Sequence, residues 1–424
     1  MPGPIWGDPV AITGINRIRE FKVPPVQRAG ETWRYGLGLP LQISGNRLAL
    51  ILNIRRDRMP YVDFEAGADA VILSSMRGEP DESLELSRNH SEPDPVSGED
   101  REIVKYPADG GFVPVGARLP DGSPHPHAGS GFGIIHAIGF PLPHTDPAKR
   151  LRLTGKRFEF AELQQYASVG GGISIAGTRR FQLGALPAGV SHSGTSFTAA
   201  IPDGPDLLFC MQDQSGNSGV ARWRRYGAGW LPAEFSRVDG ADNSIEPSLV
   251  RDVDGSLLFC SRGKSEDSIH SIMVWRSVDG EEWECTINAE WTIGRGPVTV
   301  NRAADGTPYV AANPLLQGQE PFAWGERGVL QIWPLNPARD GLLDPIVVCD
   351  CMREFGESPS GEGWYVDHPS GQTVRLGGEW HHILVYRVAD RGEIKDGTGP
   401  VGETGCYVSE VLSGGDMVAP WKLE

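Results

Sequence analysis

The chain is short of positive charge. Its 39 lysines and arginines face 55 aspartates and glutamates, a formal net charge of −16. Nucleic acids and anionic membranes require a basic footprint that displaces counterions, so neither is an expected partner. Any anionic ligand must instead be met by a local cluster of arginines. Long apolar runs are missing too: none approaches the roughly 18 residues of a membrane-spanning helix. Met1-Pro2-Gly3-Pro4 does not begin a signal peptide with a basic start and an apolar middle. The expected location is the cytoplasm, or a secreted or periplasmic space if a signal peptide has been trimmed. Cysteine is sparse, six in 424 residues, which excludes a disulfide scaffold. Cys210, Cys260, Cys285, Cys349, Cys351 and Cys406 read as buried thiols. Cys349-Asp350-Cys351 is spaced too closely for the usual Cys-x-x-Cys zinc or redox motifs, so it implies no metal. Long helices are disfavoured by 55 glycines and 34 prolines, which suit many short strands joined by tight turns.

What is present is a repeat. Asp206-Leu207-Leu208-Phe209-Cys210 recurs fifty residues on as Ser256-Leu257-Leu258-Phe259-Cys260. A third copy of the turn and strand, Asp305-Gly306-Thr307-Pro308-Tyr309-Val310, starts 51 residues (305 − 254) after Asp254-Gly255. A period of about 50 with β character is the signature of stacked four-stranded sheets around an axis. The expected fold is all-β: a six-bladed β-propeller with blades of four antiparallel strands, forming one domain over residues 1–424. Apolar modules fall at Asn46 to Ile54 with Asp69 to Ser75, Gly131 to His136, Asp206 to Trp230, Asn243 to Trp283, Val298 to Trp333, and Trp364 to Val388. An N-terminal strand is expected to complete a terminal blade and close the ring, removing exposed edges. Residues 78–110, rich in Glu, Asp, Ser and Pro, read as an acidic surface insertion with too little apolar area to order itself. One helix is expected at 157–167, where Phe160, Leu163 and Ala167 fall at i, i+3 and i+7. Trp223, Trp230, Trp275, Trp283, Trp333 and Trp380 recur at similar places in their modules and read as blade packing.

The fourth module is the richest in candidate chemistry. Asn243-Ser244-Ile245-Glu246-Pro247-Ser248-Leu249-Val250 is followed by Asp254-Gly255 and a strand ending in Arg262, sixteen residues (262 − 246) after Glu246. This order resembles the sialidase superfamily, in which a Glu-Pro-x-Leu-Val strand precedes an Asp-Gly turn and a strand ending in Arg. Similarity continues in Ala312-Asn313-Pro314 before Arg327, and in Tyr365 before a turn and an apolar strand. Trp275-Arg276-Ser277-Val278-Asp279-Gly280-Glu281-Glu282-Trp283 looks like the Asp-box (BNR repeat) turn of that superfamily, one residue shorter than usual. The resemblance covers about residues 40 to 77 and 200 to 390. It departs at the start, where the family's Phe/Tyr-Arg-Ile-Pro motif is replaced by Trp33-Arg34-Tyr35-Gly36-Leu37-Gly38-Leu39-Pro40. Arg55-Arg56-Asp57-Arg58 and Tyr61-Val62-Asp63 stand where the family carries an arginine and then its aspartate acid/base.

The resemblance implies hydrolysis of a terminal acidic sugar from a glycan, with Tyr365 as nucleophile, Glu246 as its base and Asp63 as proton donor. A tyrosine attacks an anomeric carbon only as its phenol loses a proton, which a neighbouring carboxylate can accept. Arg262, Arg327 and Arg56 would bind the sugar carboxylate, since a planar guanidinium offers two parallel charge-assisted bonds. Bland readings stand beside these: Glu246 and Arg262 as a structural ion pair, Asp63, Asp57 or Asp69 as turn stabilisers, Tyr365 as an ordinary strand aromatic.

The histidines suggest a different mechanism. Pro124-His125-Pro126-His127 places two imidazoles at i and i+2, with His136 further along, and His368 follows Asp367 in the last module. Propellers that act as polysaccharide lyases use His or Tyr to abstract the proton α to a uronate carboxylate. His125, His127 and His368 are therefore candidate substrate contacts. No carboxylate or Cys stands at a metal-ligand interval from His125, His127 and His136, so no metal is expected. The third alternative is a non-catalytic glycan-binding propeller, which would need no convergence of Glu, Arg and Tyr. No cofactor is implied; a structural calcium at the ring axis is compatible with the sequence. Nothing in it sets an oligomeric state.

Overall fold

The structure, a computed structural model, describes residues 12–56, 67–75, 80–141, 159–182, 185–191, 196, 198–242, 244–265, 268–315, 327–392, 403–414 and 418. It is a six-bladed β-propeller: six antiparallel sheets of four or five strands follow one another around a ring. In the fourth blade the strands are Ser244–Arg251, Leu257–Gly263, Ile272–Ser277 and Glu284–Ala289; in the fifth they are Thr299–Arg302, Pro308–Ala312, Val329–Pro334 and Ile346–Asp350. The sixth contains Trp364–Leu376, Glu379–Asp390 and Gly405–Ser413, and the N-terminal strand Ile12–Lys22 completes it by pairing with the last of these. The ring is thus closed by strands from both ends of the chain, as the sequence led us to expect.

The repeat has a simple physical origin. Asp206–Asp213, Leu257–Gly263 and Pro308–Ala312 are the second strands of consecutive blades, and each is covered on both faces. Successive side chains of a strand point to opposite faces. Leu207 and Phe209 therefore enter the core between the second and third blades, while Leu208 and Cys210 enter the next core, between the third and fourth. One blade on, Leu257 and Phe259 fill that same third-to-fourth core, and Leu258 and Cys260 fill the fourth-to-fifth. A strand buried on two faces needs an unbroken apolar run rather than alternation, which is why Leu-Leu-Phe-Cys recurs. The turn before each strand repeats too: Gly255 and Gly306 both adopt φ of +91°, and Asp254 and Asp305 each accept the backbone N–H two residues on, at 2.9 Å. Trp223, Trp230, Trp275 and Trp333 are buried in these cores.

The first strands of the blades face the axis and are stitched to one another. Val115 N donates to Ile43 O and Ala200 N to Gly110 O. Leu249 N donates to Thr198 Oγ1, Val300 N to Ser248 Oγ, Gly371 N to Asn301 Oδ1, and Arg375 N to Gln42 Oε1. These six bonds link each blade to the next and return to the first. Residue numbers rise together across the pairs, Ser248 with Val300 and then Arg251 with Arg302, so the inner strands run parallel with all their starts at one end of the ring. Ser248→Ala would orphan the buried Val300 N–H, and we expect it to lower unfolding free energy by about 1–3 kcal/mol in urea melts; a change under about 0.5 kcal/mol would show that the stitch contributes nothing.

Three expectations are corrected. Residues 78–110 are not an unordered insertion: they hold Glu82–Arg88, His90–Pro93 and most of Asp100–Val113 as strands of the first two blades. Their acidic residues are matched by arginines, Glu92 lying 3.0 Å from Arg101 and 2.8 Å from Arg180. Phe160–Val169 is a strand between two others, not part of a helix; i, i+3 spacing of apolar residues also fits a strand covered on both faces, and here the neighbours supply the backbone partners. A short helix forms instead at Cys351–Phe355, capped by Asp350 accepting from Arg353 N. Finally, Cys285 is exposed, unlike the other five thiols, because it lies on the outer strand of its blade. No helix among the described residues is long and apolar enough to cross a membrane.

Candidate active site

Two residues at the starts of inner strands share an unusual backbone. Glu246 and His368 both have φ of +55°, both precede a proline, and both sit where the pairing register slips, between Ile245 and Ser248 and between Asp367 and Ser370. Positive φ is strained for side chains with a Cβ, costing roughly 1–3 kcal/mol. A bulge re-aims a side chain, here out of a strand that otherwise packs between blades. The two bulges belong to the fourth and sixth blades, on either side of the fifth.

Around them lies a network of buried charge. Glu246 accepts from Arg262 Nη1 at 2.9 Å and 3.2 Å. Burial works to raise its pKa, but Arg262, with help from His368 and Arg327, overrides this and holds the carboxyl below the usual range. From the fifth blade, Arg327 donates through Nη1 to Asp367 Oδ2 at 2.7 Å and through Nε to Arg295 O at 3.0 Å. Arg387, on the second strand of the sixth blade, grips both oxygens of Asp367 at 2.9 Å. His368 Nδ1 lies 2.8 Å from Asp367 Oδ1. Asp367 is fully buried; desolvation pushes its pKa up, yet Arg387, His368 and Arg327 together drive it well below the carboxylate range. Asn313 fixes the frame by donating to Val329 O and Val366 O, each at 2.7 Å.

Four candidates read from the sequence, Glu246, Arg262, Arg327 and His368, are therefore neighbours at one end of the axis. Tyr365 is attached to the group through Arg327, whose guanidinium carbon is 5.3 Å from the phenol ring centroid; among the described residues no hydrogen bond joins Tyr365 to Glu246. Arg56 ends the second strand of the first blade, and Asp63 lies outside the described residues. Asp69 is buried on the third strand of the first blade between Arg28 (2.6 Å) and Arg88 (2.7 Å), away from the axis.

His125 and His127 do not join the cluster. His125 Nε2 is bonded to Gly204 O at 3.0 Å, in the turn that follows an inner strand, whereas Glu246 is at the start of one. The His127 ring packs edge-on against Trp230 at 5.4 Å. Since the inner strands run in parallel, the pair belongs to the opposite end of the ring. Burial lowers the pKa of both.

Two members of the cluster carry little signal in the sequence: Asp367 stands out only as the neighbour of His368, and Arg387 not at all. A charged residue inside Ile383-Leu384-Val385-Tyr386-Arg387-Val388, a run buried on both faces, was the available signal. Among the described residues, no group of three or more His, Cys, Asp or Glu side chains is arranged to hold a metal ion.

The fold is that of a six-bladed β-propeller, and solved structures of the same architecture resemble it. A protein of unknown function from Dyadobacter fermentans matches at 12% identity and a TM-score of 0.56, over 95% of this chain and all of that one. Trypanosoma rangeli sialidase matches at 11% identity and a TM-score of 0.51, over 94% of this chain. The same enzyme in complex with 2-keto-3-deoxy-D-glycero-D-galacto-2,3-difluoro-nononic acid gives 13% identity and a TM-score of 0.50, again over 94%. The chain spans only 59% and 57% of those two sialidase chains. At such identities the likeness establishes the fold. No protein-family model and no curated protein matches the sequence.

Proposed function

We propose that this protein is a carbohydrate-active enzyme that hydrolyses a terminal acidic sugar from a glycan at the inner-strand starts of the fourth, fifth and sixth blades. The observation that carries this reading is the meeting of Glu246 and Arg262 with Arg327 and His368, brought from three blades to one end of the axis. Glu246, kept ionised by its arginine, suits the base role, and Tyr365 beside Arg327 suits the nucleophile, since a guanidinium stabilises negative charge on the attacking oxygen. Arg262 and Arg327 would bind the sugar carboxylate, with Arg56 and His368 at its edges. Arg34, at the start of the first blade's inner strand, is placed at the same end of the ring. Asp63 is the proposed proton donor.

One observation favours elimination as a second reading. His368 Nδ1 stands 2.8 Å from the Asp367 carboxylate, close enough for that charge to support an imidazole base, beside guanidiniums able to neutralise a uronate. Screening oligosaccharides for both released sugar and ultraviolet absorbance separates the two. Released sugar without absorbance supports hydrolysis. Absorbance from an unsaturated product would replace it with the lyase reading, and binding without turnover would leave a glycan-binding module.

A further inference from the structure

We infer that the opposite end of the central channel is a second binding site, for a small oxyanion, with Arg302 as its anchoring cation. The inner strands leave a cavity of about 90 Å³ there, lined by Thr198, Arg251, Asn301, Arg302, Gln372 and Thr373 from the third to sixth blades. That is well above the roughly 10–15 Å³ a single water needs, so the cavity has room for a small anion. Arg251, Arg302 and Gln372 are half-buried, so the cavity reaches solvent. The site lies further along the same strands that begin with Glu246 and His368, and it is independent of the function proposed for that end.

The charge at the cavity is unbalanced. Across most of the molecule arginines are matched by carboxylates: Arg251 is paired with Asp203 at 2.6 Å, and Asp252 with Arg339 at 2.7 Å. Arg302 has no carboxylate partner among the described residues; its Nη1 donates to Arg251 O at 2.9 Å, which holds the guanidinium in place without neutralising it. Burial depresses its pKa, though Asp252 partly offsets this. The nearby His382 adds no compensating charge of either sign. It is buried between Tyr309 and Thr373, and burial first, then Arg302, lowers its pKa to about 3.

Two neutral polar side chains, Thr198 and Gln372, also line the cavity. The Thr198 hydroxyl oxygen accepts from Leu249 N, leaving its proton to donate. The Gln372 side-chain oxygen is buried without a partner, and the orientation of a Gln amide is set by the partners it finds. A guanidinium, a hydroxyl and an amide are the group set that recognises phosphate, sulfate or a carboxylate, because a planar cation and neutral donors together satisfy several oxygen lone pairs.

The test is thermal unfolding and titration calorimetry of the full chain with sodium phosphate, sulfate or acetate, ionic strength being held constant with chloride. At least one oxyanion is expected to raise Tm and bind; comparing the tetrahedral ions with acetate identifies which kind fits. Arg302→Gln should weaken that binding about tenfold or more, as loss of a charge-assisted contact does. Gln372→Leu, which disturbs no ion pair, should weaken it less, and it serves if the arginine variant does not fold. Chloride acting as well as the oxyanions, binding unchanged in both variants, or no oxyanion-dependent shift in the parent protein would each overturn the assignment.

Discussion

Glu246→Gln is expected to reduce turnover of the true substrate by about 10²–10⁴-fold, the usual contribution of a positioned general base. Glutamine preserves the shape and an acceptor for Arg262 but cannot take a proton. Tyr365→Phe should produce a loss of similar size, and combining the two should add little, because residues that act as one unit are not additive. The pH profile offers a check on the same group. Arg262 holds Glu246 below the ordinary carboxylate pKa, so the basic form persists above that lowered value. The acid limb of activity should therefore lie below the roughly 4.3 of a free glutamate and disappear in the glutamine variant. Steady-state kinetics on a substrate found by the oligosaccharide screen measures both effects. Full activity in both single variants would sink the base and nucleophile assignment.

Asp367→Asn should cost the most stability of any single change at the site, about 3–5 kcal/mol. The aspartate is fully buried, and it compensates two arginines, Arg327 and Arg387, that are themselves almost wholly buried. Removing one partner of a buried pair leaves an uncompensated charge in low dielectric, the costly case. Domains hold only about 5–15 kcal/mol in total, so urea unfolding should register the change plainly. The pH dependence has a definite sign. A carboxyl whose folded pKa is depressed contributes stability that is complete above its unfolded value near 3.9. That stability is lost as pH falls through the folded value. The parent protein should weaken in acid below about pH 4 by more than the variant does. A variant within about 1 kcal/mol of the parent would mean that the arginines find other partners.

How much was legible follows from how local each feature is. The blades could be read because the two-faced strand Leu257 to Cys260 and the Asp254-Gly255 turn are written within a dozen residues, and the same physics repeats at Asp206 and Asp305. The proximity of Glu246 and Arg262 was legible for the same reason, since they sit on adjacent strands of one blade. Arg327 follows from a resemblance in motif order and His368 from the separate reading of the histidines, with no local signal that the two would meet. Arg387 was invisible because an arginine in an apolar strand declares burial but not its partner. His125 and His127 looked like site residues only because the sequence does not say to which end of the ring a turn belongs. Phe160, Leu163 and Ala167 satisfied a helical spacing, and only the flanking strands at Ser130–Pro141 and Gly172–Gln182 decided against it.

The sequence by itself determined the architecture. Unbroken apolar runs at a fifty-residue period have no home except between stacked sheets, and chain ends that both carry strands can bury their edges by closing a ring. Tertiary structure decided which distant residues meet at the candidate site, because they are delivered by separate blades to one end of an axis. Two bulges, each at a residue just before a proline, turn Glu246 and His368 out of their strands, and Asp367 draws Arg327 and Arg387 together across a blade boundary. Burial makes those distant partners necessary: a charge removed from water must find its counter-charge wherever the fold has brought one within reach.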